Sequence, residues 1–350
     1  MVVFGGYGTF GRQVCHELAR RGHAVRVAGR DGARAAGFAR ELSGGPHDAV
    51  HADARDLASC RAALGGASVA VLCAGPFADL PTAAAEAALG RRLHYVDIAD
   101  DRAYIRRLGG WHERFAAAGL CAAYGCSSLP GLSTALALAL RAARPGRPPR
   151  AARVTLFIGN RNPKGQAAIG SLVAQLGRPV ATPDGPRRGF GDGEVVPLPP
   201  PFGPRRVYTF DGPEYDLFPA LVGVARVSVK VGFELRAATA VLALLARVGS
   251  RYGSATASAL ATLGRLGSGV GSSGGAVMTE LEWDDGTRAS AAAIAAHDGQ
   301  RMAVLPCALV ADALASGRTR AIGVRTAPQV LSAEALLAEV EAAGFRVARS

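Results

Sequence analysis

Four apolar residues, Met1 to Phe4, lead directly into Gly5-Gly6-Tyr7-Gly8-Thr9-Phe10-Gly11, and a helical pattern follows. Few local patterns restrict a fold as tightly. A strand that ends in Gly-x-Gly-x-x-Gly and enters a helix uses Gly6 for a sharp bend, Gly8 for close approach of backbone N–H groups to a pyrophosphate, and Gly11 for close helix–strand packing. The phosphates then sit at the positive end of that helix. Chance matches are common in a chain with 45 glycines, so the flanks decide. A helix is expected over Arg12–Arg21, stopping at Gly22, with a second strand over Ala24–Ala28. Strand, turn, helix and strand within about thirty residues is the βαβ setting the motif requires. It predicts a nucleotide site touched by Gly6, Tyr7, Gly8, Thr9, Phe10 and Gly11, with no leader before it.

The end of the second strand tells which nucleotide. An acidic residue there would accept hydrogen bonds from the adenosine ribose of NAD, whereas a basic one would meet the 2′-phosphate of NADP. The strand ends Ala28-Gly29-Arg30, Asp31 follows one place later, and Arg34 lies one helical turn on. Guanidinium forks hold a phosphate dianion bidentately. Gly29, Arg30 and Arg34 therefore predict NADP(H) in preference to NAD(H). Asp31 is the residue that would reverse this, and simple solvation is the competing reading of both arginines.

A chain of 350 residues with 49% hydrophobic content exceeds one comfortable core and predicts two domains. Cys15, Cys60, Cys73, Cys121, Cys126 and Cys307 form no Cys-x-x-Cys pair. With neither a signal peptide nor a run of about eighteen apolar residues, a reducing cytoplasm and no stable membrane insertion are expected. Ala237–Ala246, apolar between Arg236 and Arg247, is expected as a buried helix. The net charge of +12 is almost all arginine spread along the length, with Lys164 and Lys230 the only lysines. Diffuse charge without an aromatic-interleaved basic cluster argues against nucleic acid as a partner.

Helices and strands alternate through the first third, as a doubly wound parallel sheet requires. After the second strand come a helix over Gly32–Leu42, a strand Asp48–Ala52, a helix Leu57–Leu64 and a strand Ser68–Cys73. A helix Leu80–Leu89, a strand Leu93–Ile98, a helix Arg102–Ala118 and a sixth strand Leu120–Tyr124 follow. Ligands of such sheets bind beyond the carboxyl ends of the strands. There stand Asp53-Ala54, Ala74-Gly75-Pro76-Phe77, Asp97-Ile98-Ala99-Asp100 and Gly125-Cys126-Ser127-Ser128-Leu129-Pro130-Gly131.

The set GGYGTFG, AGR, HADARD, LCAGPF, HYVDIADD and GCSSLPGLS, at these spacings, resembles the saccharopine dehydrogenase-like oxidoreductases, a family that includes saccharopine reductases and trans-acting enoyl reductases. The resemblance covers roughly the N-terminal 135 residues. It implies that Asp53 and Ala54 lie near the adenine, that Cys73, Ala74, Gly75 and Pro76 run under the cofactor toward the nicotinamide, and that Phe77 borders the substrate. Asp53 has a second reading, as N-cap of the helix beginning near Leu57. One position departs from the family. Where saccharopine reductases carry an Asp before the Pro-Gly of the sixth-strand exit, this chain has Leu129, with only the neutral hydroxyls of Ser127 and Ser128 beside it. The substrate is then expected to be less charged than saccharopine, with Ser127 and Ser128 touching it or capping the next helix. The Tyr-x-x-x-Lys pair of a short-chain dehydrogenase is absent, since Asn160 precedes Lys164 and Arg226 precedes Lys230 at that spacing.

Beyond a helix over Leu132–Ala143, the proline-rich Arg144–Pro149 reads as a crossover into a second domain. Strands are expected over Arg153–Ile158, Arg206–Phe210, Ala225–Gly232, Val277–Trp283 and Arg288–Ala296, with a Gly- and Pro-rich loop over Pro179–Pro204. These make an α+β substrate domain on a largely antiparallel sheet. Asn160, in Gly159–Gly165, is a substrate-binding candidate whose alternative is a capped turn, and Gly264–Gly275 is expected as a linker in preference to a flexible lid. The tail, a helix Met302–Ala315, a strand Ala321–Val324 and a helix Ala333–Ala343, is expected to pack back on the first domain. The division is thus 1–130 for NADP(H), 131–300 for substrate and dimerisation, and 301–350 returning to the Rossmann domain.

The reading is an α/β NADP(H)-dependent oxidoreductase moving a hydride to or from a C=N, C=O or activated C=C bond of a small molecule in the interdomain cleft. No metal is expected, because no second His stands at ligand spacing from His297. A homodimer is open. The proton donor is not identified by the sequence; Asp97, Asp100, Tyr124 and Lys164 are the candidates. The alternative is a non-catalytic NADP(H)-binding sensor or a regulatory or assembly protein.

Overall fold

The computed structural model describes the chain apart from residues 164, 250, 254, 257, 261 and 263–268. Lys164 and the first five residues of the expected Gly264–Gly275 linker thus lie outside the described residues. The rest falls into two units, Met1–Ser127 with Ala303–Ser332, and Ser128–Met302 with Ala333–Ser350.

In the first unit, β1 (Val2–Phe4), β2 (Arg26–Gly29), β3 (Asp48–His51), β4 (Val69–Leu72), β5 (His94–Asp97) and β6 (Cys121–Tyr124) alternate with α1 (Thr9–Arg20), α2 (Gly32–Glu41), α3 (Leu57–Ala63) and α4 (Ala83–Gly90). The helix expected over Arg102–Ala118 is two, α5 (Arg102–Gly109) and α6 (His112–Ala117), broken at the poorest helix formers in the stretch, Gly109-Gly110. A seventh strand, Gly323–Thr326, pairs parallel with β6, and the sheet reads Gly323–Thr326, β6, β5, β4, β1, β2, β3, every pairing parallel. Helices cover such a sheet on both faces, which is why its central strands β1 and β4 are continuous apolar runs. All four residues of β4 have zero exposure, and its Val69, Val71 and Leu72 side chains each contribute roughly 1.5–3 kcal/mol of apolar burial. The winding reverses between β1 and β4, the crevice where such sheets take their ligands.

The second unit holds a seven-stranded mixed sheet in the order Glu194–Leu198, Gly203–Thr209, Arg226–Phe233, Ala151–Ile158, Gly275–Glu282, Arg288–Ala295, Arg346–Arg349. Only Arg226–Phe233 against Ala151–Ile158 is parallel. Three expectations are corrected here. The Pro179–Pro204 loop contains the strand pair Pro179–Val180 and Arg187–Arg188 and the whole of an edge strand, Glu194–Leu198. The apolar stretch at 237–246 lies in a helix, Arg236–Val248, that buries Thr239, Leu242 and Ala246 but turns Val241, Leu244 and Val248 outward. Finally, the segment 301–350 does not stay together. Residues 303–332 belong to the first unit, whereas Ala333–Ala342 and Arg346–Arg349 belong to the second, because Arg346–Arg349 finds its ladder partner in Arg288–Ala295.

Candidate functional site

The turn after β1 has no room for a side chain where packing is tightest. A Cβ on Gly11 would collide with the carbonyl oxygen of Gly5 and stand 2.8 Å from the Cα of Gly6. One on Gly5 would stand 2.7 Å from the backbone nitrogen of Ala74, so the turn and the exit of β4 lie edge to edge. Gly8 is the N-cap of α1 and supplies no side-chain acceptor. The first-turn N–H groups of a helix have no intrahelical partner, and here Thr9, Phe10 and Gly11 carry them. A pyrophosphate fits this cradle of small residues and amide donors.

Tyr7 organises the end of β2. Its half-buried ring lies over Gly29, where a Cβ would overlap it, and its hydroxyl accepts the Asp31 N–H at 3.0 Å. The Arg34 guanidinium stacks on that ring, 4.8 Å from its centroid. The Asp31 carboxylate accepts the Arg34 N–H at 3.0 Å as N-cap of α2. Asp31 therefore has a local task at the helix start, while exposed Arg30 and Arg34 flank the strand end with their charge available.

At the exit of β3, the two readings of Asp53 separate. Asp56, not Asp53, caps α3 by accepting the Ser59 N–H at 2.6 Å. Asp53 closes a tight turn, its carboxylate accepting the Arg55 N–H at 3.0 Å while its own N–H donates to the Ser59 hydroxyl at 3.0 Å. The sequence signal for Asp56 was its position immediately before Leu57. Ala54 is buried beside it. At the exit of β4, the Cys73 N–H bonds the Phe4 carbonyl at 2.8 Å, and Cys73, Ala74, Gly75 and Pro76 form a partly exposed edge against the glycine turn. Phe77, by contrast, is buried, its ring edge-on to Tyr104 at 5.1 Å.

Two carboxylates stand at the exit of β5. Asp97 is fully buried; its Oδ1 accepts the N–H groups of Ala99 at 3.0 Å and Gly125 at 2.8 Å, while its Oδ2 is buried with no hydrogen-bond partner. Burial raises its pKa to about 6 against the opposing pull of those amides. Asp100, deeply set but partly exposed, is also raised to about 6, chiefly by desolvation and further by the Asp101 charge. Tyr124 ends β6 almost buried, and burial followed by the Asp97 charge pushes its phenol up. Asp97 also ties the next exit, since its carbonyl accepts the Cys126 N–H at 2.8 Å.

Ser127 and Ser128 are partly exposed, and neither caps the helix Ser133–Ala142, whose N-cap is Leu132. A serine that the sequence did not single out is held by a buried carboxylate: within the second unit, Ser133 donates to Glu214 at 2.5 Å. Asn160, also in that unit, is tied into its loop. Its N–H donates to Glu234 Oε2 at 2.8 Å and its amide nitrogen to the Val270 carbonyl at 2.8 Å, while Asn162 donates to the carbonyls of Gly159 and Gly274. The first unit thus gathers the glycine turn, Arg30, Arg34, Asp53, the Cys73–Pro76 edge, Asp97, Asp100 and Tyr124 along the carboxyl edge of one parallel sheet. No helix among the described residues is long and apolar enough to cross a membrane.

Residues 1–122 match the model of the saccharopine dehydrogenase NADP binding domain. The expected cofactor class, NADP rather than NAD, agrees with that match. Comparison with curated proteins finds no match to the chain. Among solved structures, apo histidine-tagged saccharopine dehydrogenase (L-Glu forming) from Saccharomyces cerevisiae superposes with a TM-score of 0.68 at 12% identity, over 100% of this chain and 98% of that one. Its fold is therefore shared along the full length. A short-chain type dehydrogenase/reductase from Mycobacterium ulcerans aligns over 35% of this chain and 64% of its own at 18% identity, with a TM-score of 0.30. One from Serratia marcescens covers 35% and 71% at 19% identity, again with a TM-score of 0.30.

Proposed function

We propose that this saccharopine dehydrogenase-like chain is an NADPH-dependent reductase acting on a C=N, C=O or activated C=C bond, imines and carbonyls first, in a substrate less charged than saccharopine. The observation that carries the reading is the end of β2, where Asp31 caps α2 and the Tyr7-stacked Arg34 stands free to meet a 2′-phosphate. The bound dinucleotide would supply the hydride. The amides of Thr9, Phe10 and Gly11 would hold its pyrophosphate, Arg30 and Arg34 its 2′-phosphate, and the Cys73–Pro76 edge the face of its nicotinamide.

For the proton, we assign Asp100. With a pKa raised to about 6 it keeps about a tenth of its population protonated at neutral pH, and its partial exposure lets it reload from solvent. Asp97, wholly buried, holds the exits of β5 and β6 together through Ala99 and Gly125 and acts as a positioning residue. The substitution of Leu129 for the acidic residue of saccharopine reductases favours a substrate without an ammonium group at that point.

Fluorescence titration of the purified chain with NADPH and NADH tests the premise, and affinity for neither would sink it. A screen of NADPH oxidation against imines, keto acids and enoyl esters tests the reaction. Binding without turnover across that screen would instead favour a sensor.

A further inference from the structure

The helix Arg236–Val248 of the second unit has two unlike faces. Leu242 and Ala246 join the core cluster that holds Tyr208 and Val231, whereas Val241, Leu244 and Val248 are 48%, 60% and 78% exposed. At about 100° per residue these three form one outward stripe opposite the buried face, with exposed Arg236 and Arg247 together on its flank. The carboxyl end of the helix is basic as well. The Arg188 guanidinium donates to the carbonyls of Ala246 at 3.4 Å and Arg247 at 3.2 Å, and exposed Arg251 follows close behind. Residues 235–279 contain four arginines and no Asp or Glu, so the helix carries nothing to offset this charge. Glu234, just before it, is engaged by the N–H groups of Asn160 at 2.8 Å and Ser272 at 2.7 Å.

A second copy of this chain fits such a ridge poorly. The helix is about 20 Å long, so a strip about 10 Å wide offers roughly 200 Å², against the roughly 800 Å² per partner of a stable interface. Antiparallel pairing would also set Arg236 of one copy beside Arg247 of the other, like charge against like. A convex aliphatic ridge without an aromatic anchor gives a folded partner little to grip. A fluid bilayer closes around it, taking the aliphatic side chains into its acyl boundary and meeting the arginines with its phosphates. Thirteen residues fall short of the about twenty needed to cross, so the helix would lie in the plane of the surface. We propose that the second unit attaches reversibly to anionic phospholipid membranes through this helix, with Val241, Leu244 and Val248 at the acyl boundary and the arginines at the headgroups. Neither nucleotide binding nor turnover is required for it.

The test sediments the full chain with vesicles of phosphatidylcholine alone, or of phosphatidylcholine and phosphatidylglycerol in equal parts. Binding to the anionic vesicles is expected to be at least about tenfold tighter at low salt, each arginine near the surface contributing about fivefold. Replacing Val241, Leu244 and Val248 together with Ser leaves the buried face intact and should weaken binding roughly a hundredfold, about fivefold for each partly exposed aliphatic side chain. Leu244→Trp keeps the stripe apolar and reads its position directly. After subtraction of the wild-type signal from Trp111 and Trp283, its emission should shift to the blue on anionic vesicles and be quenched by lipids brominated on their acyl chains. No sedimentation above the lipid-free control overturns the proposal, as does equal binding by wild type and the triply substituted chain, or an unquenched Leu244→Trp signal from bound protein. Equal affinity for the two vesicle types overturns the anionic assignment. A lipid-free dimer that the triple substitution dissociates gives the stripe to a second copy and overturns it too.

Discussion

Replacing Arg34 with Ala removes one guanidinium and little else. The cap of α2 is untouched, because Asp31 accepts the backbone N–H of residue 34 and not its side chain. Alanine is also the best helix former, so α2 keeps its propensity. The stack on Tyr7, worth about 0.5–1 kcal/mol at an exposed site, is lost from the free and the liganded protein alike and largely cancels from the affinity. What remains is the contact with the 2′-phosphate. Charge-assisted hydrogen bonds contribute about 1.5–3 kcal/mol. Arg34 is exposed and Arg30 stays in place, so the lower end applies, roughly 1.5–2 kcal/mol. That is a tenfold to roughly thirtyfold rise in the Kd for NADPH. NADH has no 2′-phosphate, and its Kd should move by less than about twofold. Fluorescence titration of both nucleotides with wild type and Arg34→Ala gives the four constants. Equal losses for NADPH and NADH, or no change in either, would refute the assignment.

Gly11→Ala places a methyl group against the Gly5 carbonyl, where only backbone can yield; a stability loss of roughly 1–3 kcal/mol in urea, together with weakened NADPH binding, is expected, and an unchanged midpoint would contradict the close approach. Burial raises the folded-state pKa of Asp97 to about 6, above the ordinary carboxylate range, so the native state binds the proton more tightly and stability falls as pH climbs from about 4 to about 6. Asp97→Asn keeps an acceptor for Ala99 and Gly125 and should remove that share of the slope, at most on the order of 3 kcal/mol across the window, leaving the share due to Asp100; identical urea midpoints against pH in both proteins would count against it. Asp56→Ala should cost about 1 kcal/mol through loss of the α3 cap, and Asp53→Ala should leave that cap intact, so a reversed order in thermal melts would return the cap to Asp53.

The first sheet was legible because each of its signals is local. Gly5–Gly11 encodes a turn that few other contexts tolerate, and β1 and β4 are apolar throughout, as strands covered on both faces must be. What escaped notice depended on distant partners. Glu194–Leu198 sits in a proline-rich stretch whose strand character comes from its ladder with Gly203–Thr209. Arg346–Arg349 is half arginine and becomes a strand because Arg288–Ala295 offers an edge. The pKa of Asp97 likewise comes from its enclosure at the exit of β5, which no spacing records. Asn160 looked like a free amide donor in a turn, yet its partners Glu234 and Val270 come from well down the chain. Tyr7 was readable as a cofactor contact, but its part in seating Arg34 required seeing that Gly29 leaves room for its ring.

The strand Gly323–Thr326 borders β6 although most of the second unit is synthesised between them. A ribosome that has released β6 has therefore produced a sheet whose last strand still presents an unpaired row of N–H and C=O groups. That edge waits for nearly the whole remaining chain, during which it is a template for pairing with another nascent copy. Cutting the gene after residue 130 to obtain a free nucleotide-binding domain would make the wait permanent. Joining residues 303–332 to residue 127 through a short flexible linker would close the sheet within one compact fragment.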